Sequence, residues 1–514
     1  MTTIRIGIDV GGTNTDVVAI DPDGQVVTWH KTPTTATLFD GIGTGLSAVL
    51  ARVRPADVSH VMLGTTHPVN ALIARSNLAR VGVLRIGAPA TMSISPLADW
   101  PRDLAGLVCA YSAVVRGGHE FDGSPMGPLD EDAVRAFAKA CGTAVDAIAL
   151  TGVHSPANPE HEIRAGQILA EELGQNFPVT LGHQIGGLGL LERENSATLN
   201  AALRFVGAEV VTGLEQALSA HRLRAEIYMT QNDGTLLSAA EAARRPVMTI
   251  GSGPTNSMRG AAHLSGLADA IIMDVGGTST DVGMLVNGFP RESALPVEIG
   301  GVRTNYRMPD LISVGLGGGT VVRADEGLRI GPDSVAHRLT ERARVFGGDT
   351  LTLTDVSVLA GRLTAGEPGR AADVSRPLIG QALSWVDERI GRLADRIKVA
   401  RSDLPLVAVG GGAHLIPDEI PGVSVVHRHE YAAVANAIGA AIAEASGTLD
   451  RTYQFSDGGR EACLEAARRA AVDAAVRAGA DPAGTRITAI TEIPISYLPG
   501  DSVRVQVKAT GPLT

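Results

Sequence analysis

The chain has 514 residues, 44% of them hydrophobic and 19% charged, with a formal net charge of −11. That length allows two or three domains with sizeable cores, and the composition is that of a soluble globular protein. The acidic balance argues against broad binding to nucleic acid or to an anionic membrane, both of which call for a basic surface.

The first predicted element begins almost at once, so no secretory segment is expected. No apolar run approaches the ~20 residues of a spanning helix. Cys109, Cys141 and Cys463 lie far apart in sequence, which fits small buried side chains in a reducing cytoplasm better than a disulfide framework or a zinc motif. The stretch Ile6-Gly-Ile-Asp-Val-Gly-Gly-Thr-Asn-Thr-Asp-Val17 is an apolar run, a glycine turn and a second apolar run that closes at Asp21-Pro22-Asp23-Gly24. It predicts strand, turn, strand, turn. Leu38, Ile42, Leu46, Val49, Leu50 and Val53 then keep a helical period.

An apolar strand at Val61–Leu63 leads to Thr65, Thr66 and Asn70. Their hydroxyls and amide suit a substrate amide; the alternative is turn and helix capping ahead of Pro68. The strand Ala147–Leu150 is followed by His154, Asn158, His161 and Glu162, either a polar site or, for the last two, the solvent face of a helix begun near Pro159. His183 with Glu192 is either a ligand pair for a second metal or a pair of satisfied structural side chains.

At Ile271 the opening string returns, 265 positions on, with nine of twelve residues identical, and its second apolar run closes at Asn287-Gly288. Leu316-Gly-Gly-Gly-Thr320 follows, holding Gly317, Gly318 and Gly319. A helical period then runs through Ile379, Leu383, Val386, Ile390, Leu393 and Ile397. The strand Leu406–Val409 ends in Gly410, Gly411 and Gly412. Val426-His-Arg-His429 could present two histidines on one strand face or form an exposed loop. An Ala-rich helix (about 459–479) and a hairpin turning at Pro499-Gly500-Asp501 complete the chain, with Val503, Val505 and Val507 on one hairpin face. The class is α/β with mixed sheets, divided into lobes at 1–190 and 191–446 and a small α+β cap at 447–514.

The repeated turn carries the chemistry. Gly11 and Gly12, or Gly276 and Gly277, let the backbone turn tightly and approach a ligand, and free amides in such a turn form an anion site. Thr13, Asn14, Thr15, Thr278, Ser279 and Thr280 add polar side chains. Asp9 and Asp274 beside a phosphate require a cation between, and Mg²⁺ takes oxygen ligands, often through water, while bridging to phosphate. Asp16 and Asp281 are read as ordering the turns rather than transferring protons. Two such turns on facing domains would clamp a nucleoside triphosphate, with the Gly317–Gly319 and Gly410–Gly412 clusters close to the same cleft. A Walker-type loop is absent, and the strand-to-strand turn does not open a helix as a Rossmann fingerprint does.

The paired Asp-x-Gly-Gly-Thr motifs with Gly-Gly-Gly resemble the actin, Hsp70 and sugar-kinase ATPase superfamily. Within it the chain is similar to the hydantoinase A and 5-oxoprolinase family, which includes subunits of acetone-type carboxylases. The closer match lies in Leu63-Gly-Thr-Thr-His-Pro-Val-Asn70, His154-Ser-Pro-Ala-Asn-Pro-Glu-His-Glu162, Glu192-Arg-Glu-Asn-Ser-Ala-Thr-Leu-Asn200 and Ile250-Gly-Ser-Gly-Pro254. Leu328-Arg-Ile-Gly-Pro332, Leu353-Thr-Asp355 and Leu359-Ala-Gly-Arg-Leu363 extend it, so that it covers roughly residues 4 to 445. The resemblance implies two actin-like ATPase lobes with a nucleotide cleft between them, and ATP-dependent opening of a cyclic amide such as a hydantoin, an oxoproline or a related lactam. It also implies Mg²⁺ or another divalent metal, and assembly as a homo-oligomer or with a second, hydrolase-like subunit. Thr65, Thr66, Asn70, His154, His161 and His183 would face the substrate. Longer relatives carry a Pro-Ala-Cys-Tyr-Gly-type stretch where this chain reads His337-Arg-Leu-Thr-Glu-Arg-Ala-Arg-Val-Phe-Gly347. A small-molecule kinase of the sugar-kinase type, an ATP-dependent carboxylase subunit and an ATP-driven switch are the rival readings.

Overall fold

The computed structural model describes residues 3–34, 38–324, 327–399, 401–457, 459–495 and 501–514. The opening motif forms β1 (Ile4–Val10) and β2 (Asn14–Ile20), an antiparallel hairpin that β3 (Val26–Pro33) extends, while β4 (Val58–Thr65) pairs parallel to β1. Both faces of this hairpin are covered. Ile6, Ile8, Val17 and Ala19 pack on Ile42, Leu46 and Val49 of the helix Leu38–Leu50, and Val18 and Ile20 pack on Val434, Ala437, Ile438 and Ala441. Burial on both sides is why these strands read as nearly continuous apolar runs.

A separate sheet follows, β5 (Val81–Ala88), β6 (Cys109–Arg116), β7 (Ala147–Gly152) and β8 (Val179–Leu181), all parallel, in the order β6-β5-β7-β8. The chain then returns to the first sheet with β9 (Glu226–Thr230), parallel to β4, and β10 (Leu236–Ser238).

The repeat opens the second large sheet. β11 (Ala270–Val275) and β12 (Thr280–Val286) form a hairpin in the same register as the first: Asp274 faces Asp281 as Asp9 faces Asp16. Asn287 and Gly288 both take positive φ, 52° and 77°, as a two-residue hairpin turn into β13 (Phe289–Pro290) demands. Two small hairpins, β14 (Val297–Ile299) with β15 (Val302–Thr304) and β17 (Thr320–Arg323) with β18 (Arg329–Ser334), flank β16 (Leu311–Val314), which pairs with β12. β19 (Leu404–Val409) and β20 (Val423–Arg428) complete the sheet in parallel with β11. The helix Arg376–Ile397 buries Ile379, Val386, Ile390, Leu393 and Ile397 against it.

The C-terminal strands rejoin the first lobe. β21 (Ala445–Gln454) runs parallel to β10, and β22 (Arg486–Pro494) with β23 (Ser502–Gly511) extends it into a nine-stranded sheet, order β22-β23-β21-β10-β9-β4-β1-β2-β3. That sheet draws strands from all three expected chain segments. The expected helix spans Arg460–Arg477 and buries Leu464, Ala467, Ala471 and Ala475 on Val503, Val505 and Val507. Pro499 and Gly500 of the expected turn lie outside the described residues.

Two helices join the lobes. Ser252–Ser265 precedes β11, and Ala435–Ala441 returns from β20 to cover β1. They touch backbone to backbone: a Cβ on Gly439 would overlap the Asn256 carbonyl oxygen. Only glycine permits that approach.

Candidate functional site

The two hairpin turns open onto one cavity of about 360 Å³. Asp9, Gly11, Gly12, Thr13, Asn14 and Asp16 line one side; Asp274, Gly276, Gly277, Thr278, Ser279 and Asp281 line the other. A Cβ on Gly277 would lie 3.8 Å from the Thr13 methyl, so the turns meet directly. Each is closed the same way, by Gly11 N–H donating to Asn14 O (3.0 Å) and Gly276 N–H to Ser279 O (2.9 Å). Among the described residues, the amides of Gly12, Thr13, Gly277 and Thr278 have no protein acceptor. A pair of such amides is an anion-binding concavity.

Four carboxylates surround this cavity, and all are held above their usual range. Asp9 is pushed up to about 7 by burial and then by the charge of Asp16, against hydrogen bonds from Asn256 and Asn436. Burial raises Asp281 to about 6. It also raises Asp16, against the charge of Lys31, and Asp274, against a hydrogen bond from Ser257. Lys31 Nζ lies 2.5 Å from Asp16 Oδ1. One lysine cannot balance four carboxylates, so the cavity favours a proton or a further cation. Among the described residues no set of three or more His, Cys, Asp or Glu side chains is arranged to hold a metal. Two carboxylates with water and phosphate oxygens, the usual Mg²⁺ shell, need none.

The acidic residues are fixed by side chains that sequence reasoning missed. Asn436 Nδ2 donates to Asp9 Oδ2 (2.9 Å), Asn256 Nδ2 to Asp9 Oδ1 (3.3 Å) and Ser257 Oγ to Asp274 Oδ2 (2.5 Å). Ser313 donates to Asp281. Adjacent residues of one helix, Asn256 and Ser257, thus hold the lead aspartate of each lobe. The only signal was their place just after Ile250-Gly-Ser-Gly-Pro254. Lys31 carried none beyond its position at the end of β3.

The other predicted residues divide. Gly410 and Gly411 line the cavity, Gly410 at φ +86°, where a Cβ would strike Asp274. Gly412 packs behind the second turn, its N–H donating to Val275 O (2.7 Å). Gly317, Gly318 and Gly319 brace that turn from behind, through Gly318 N–H to Gly276 O (3.0 Å) and Gly319 N–H to Gly277 O (2.7 Å). Thr15 and Thr280 are buried away from the cavity, Thr280 donating to Leu316 O (2.6 Å). Thr66 and Asn70 reach the cavity wall. Thr65 does not; its hydroxyl accepts from His67 N–H (3.1 Å) at the start of the helix His67–Ala74.

The histidines lie elsewhere, around the four-stranded sheet. His154 bonds the His119 carbonyl oxygen (3.0 Å), and His161 Nδ1 accepts from Gly118 N–H (3.0 Å). His183 pairs with Glu162 (2.6 Å), not with Glu192, which faces Arg303 at 3.4 Å. The stretch Glu192–Asn200 is interior. Arg193, lowered to about 10 by burial, donates to the carbonyls of Gly187 and Gly152, and Glu194 makes a buried two-point pair with Arg85 at 2.7 Å. That motif therefore positions the sheet rather than a ligand. Cys109, Cys141 and Cys463 are unpaired. No helix among the described residues is long and apolar enough to cross a membrane.

Residues 5–173 match the family model of the hydantoinase/oxoprolinase N-terminal region, and residues 193–368 match that of hydantoinase/oxoprolinase. The chain is 28% identical over 395 residues to the acetophenone carboxylase gamma subunit of Aromatoleum aromaticum, covering 69% of this chain and 53% of the relative. It is also 28% identical over 390 residues to the caprolactamase subunit alpha of Pseudomonas jessenii, covering 70% and 55%. It thus spans about half the length of these curated relatives. The crystal structure of the ATP-dependent caprolactamase from Pseudomonas jessenii shares its fold, with TM-score 0.77 and 21% identity over 99% of this chain and 88% of that one.

Proposed function

The chain belongs to the hydantoinase/oxoprolinase family, and from that membership and the cleft we propose that it binds ATP between its lobes and activates a cyclic amide for ring opening. A lactam carbonyl is a poor electrophile because nitrogen donates into it. Phosphorylating its oxygen gives an imidate-like phosphate that water attacks readily. The γ-phosphorus–oxygen bond to ADP breaks as the new one to the carbonyl oxygen forms, so the acceptor needs no base, unlike a sugar hydroxyl.

The carrying observation is that two turns of nearly identical sequence share one cavity. In this reading the amides of Gly12, Thr13, Gly277 and Thr278 receive the phosphates, and Gly410 and Gly411 admit the nucleoside by close backbone approach. Asp9 and Asp274 hold Mg²⁺, in part through water. The metal supplies positive charge to the phosphate oxygens. Lys31, paired with Asp16, stands ready to meet charge on the transferred group, and Asp16 and Asp281 keep the turns in shape. Thr66 and Asn70 present a hydroxyl and an amide to the acceptor end.

The relatives are themselves named as subunits, which supports a second, hydrolase-like subunit that completes hydrolysis. Their likeness to a carboxylase subunit favours one other reading, activation of a ketone by the same phosphorylation. Purified protein, alone and with a candidate second subunit added, should be given ATP, Mg²⁺ and a panel of lactams and hydantoins. Phosphate and ring-opened acid should appear together only with the right ring. Turnover that needs bicarbonate and a ketone selects the carboxylase reading, and a stable phosphorylated alcohol selects a kinase.

A further inference from the structure

The helix Ser252–Ser265 leads into the second repeat, yet its first turn is fastened to the nine-stranded sheet. Gly251 N–H donates to Asn232 Oδ1 (2.7 Å), Thr255 Oγ1 to Asn232 O (2.9 Å) and Ser252 Oγ to Thr65 O (3.4 Å). Thr65 ends β4, and Asn232 lies two residues past the end of β9. Ser252, Thr255 and Asn256 are fully buried, and Ser257 nearly so. The stretch Ile250-Gly-Ser-Gly-Pro254 thus serves to seat this turn on the strand ends of the first sheet.

From this seat two adjacent residues reach the two repeats. Asn256 Nδ2 donates to Thr230 Oγ1 (3.0 Å) and to Asp9 Oδ1 (3.3 Å). Gly64, which faces Asp9 across β4 and β1, leaves the room for that junction. A Cβ on Gly64 would lie 2.1 Å from Asn256 Nδ2, 2.7 Å from Asp9 Oδ1 and 3.1 Å from Thr230 Oγ1, so the junction admits only glycine there. Ser257 Oγ donates to Asp274 Oδ2 (2.5 Å), on β11 of the other sheet. Asp9, Asp274 and Ser257 all line the cleft. One buried turn therefore holds an aspartate of each sheet.

We propose, on the reading of the cleft as a site for ATP and Mg²⁺, that Asn256 and Ser257 are positioning residues that set the spacing of Asp9 and Asp274, so that both aspartates serve one ion. Neither residue has to touch the ion. Mg²⁺ demands near-ideal octahedral geometry at about 2.0–2.1 Å, whereas Ca²⁺ accepts looser shells at about 2.3–2.6 Å. A spacing fixed by adjacent residues of a buried helix suits the ion that tolerates less variation. Freeing either aspartate gives up that preference.

The test is calorimetric binding of a non-hydrolysable ATP analogue to the full-length protein, in saturating Mg²⁺ and in saturating Ca²⁺. The wild type should bind the Mg²⁺ complex more tightly. Ser257→Ala should weaken the Mg²⁺ complex about tenfold, as loss of a group that orients a metal ligand does, and the Ca²⁺ complex less, so that the preference shrinks. Asn256→Ala should shift the preference the same way, which keeps the test decisive if one variant misfolds. Ser257→Thr, which keeps the hydroxyl, should recover part of the loss. The proposal is overturned if the folded alanine variants bind the Mg²⁺ complex like the wild type, if both complexes weaken by the same factor, as plain loosening of the fold would give, or if folded Ser257→Thr recovers nothing. Wild-type protein that ignores the metal, or does not bind the analogue, overturns the ATP reading itself and the proposal with it, a failure visible before any variant is made.

Discussion

Replacing Asp9 with Asn tests whether the cleft stores unfavourable charge. In the metal-free fold the Asp9 carboxyl titrates near about 7 rather than 3.8, first because it is buried and then because Asp16 repels its charge. A group whose folded pKa is raised contributes stability that is full below its unfolded value and vanishes as pH rises through the folded one. Between about pH 5 and about pH 8 the wild type should therefore lose roughly 2.5 kcal/mol through this group alone. Asparagine has no proton to release. It also turns one N–H₂ toward the Asn256 or Asn436 amide, a mismatch of about 1–3 kcal/mol that does not vary with pH. The variant should be no more stable than wild type near pH 5, and its standing relative to wild type should improve by roughly 2.5 kcal/mol near pH 8. Urea unfolding in EDTA across this range measures the difference. Parallel pH profiles for the two proteins would refute the argument.

Further outcomes follow from the same contacts. Mg²⁺ binding near pH 7 should release about half a proton from Asp9, which titrates at about 7, seen as a calorimetric enthalpy that changes with buffer, because the ion favours the ionised carboxylate; an enthalpy independent of buffer would contradict it. Lys31→Met removes the cation 2.5 Å from Asp16, and should lower ring-dependent phosphate release about a hundredfold in steady-state assays, with Lys31→Arg retaining part of the rate. Gly439→Ala forces the Ala435–Ala441 helix off Asn256, so thermal unfolding should show a loss of about 1–3 kcal/mol and calorimetry weaker ATP binding as Asn436 leaves Asp9. Glu194→Ala strands the buried Arg85 and should cost about 3–5 kcal/mol in denaturant unfolding without changing nucleotide affinity per folded molecule.

The repeat was legible because it is local: strand, turn and aspartate all lie within twelve residues, and hairpin register then places Asp16 opposite Asp9 and Asp281 opposite Asp274. The helices Leu38–Leu50 and Arg376–Ile397 were legible for the same reason, through their period. What sequence withheld was made by long-range packing. Asn256 and Asn436 reach Asp9 from 247 and 427 residues away, and asparagines in a helix carry no local mark of such a role. The C-terminal hairpin was recognisable as a hairpin, but its place as the edge of the first sheet depends on β21 finding β10. The polar stretch Glu192–Asn200 reads like a site because it is rich in side chains that bind ligands. Here Glu194 pairs with Arg85, Asn195 bonds Trp100 and Asp99, and Arg193 bonds the carbonyls of Gly187 and Gly152, all three from inside the fold.

The most direct test is a crystal structure of the protein with Mg²⁺ and a non-hydrolysable ATP analogue. The triphosphate should lie between the turns, touching amides of Gly12 or Thr13 and of Gly277 or Thr278 at once, with the metal beside Asp9 and Asp274. A nucleotide bound to one turn alone, or seated elsewhere on the molecule, would contradict the account.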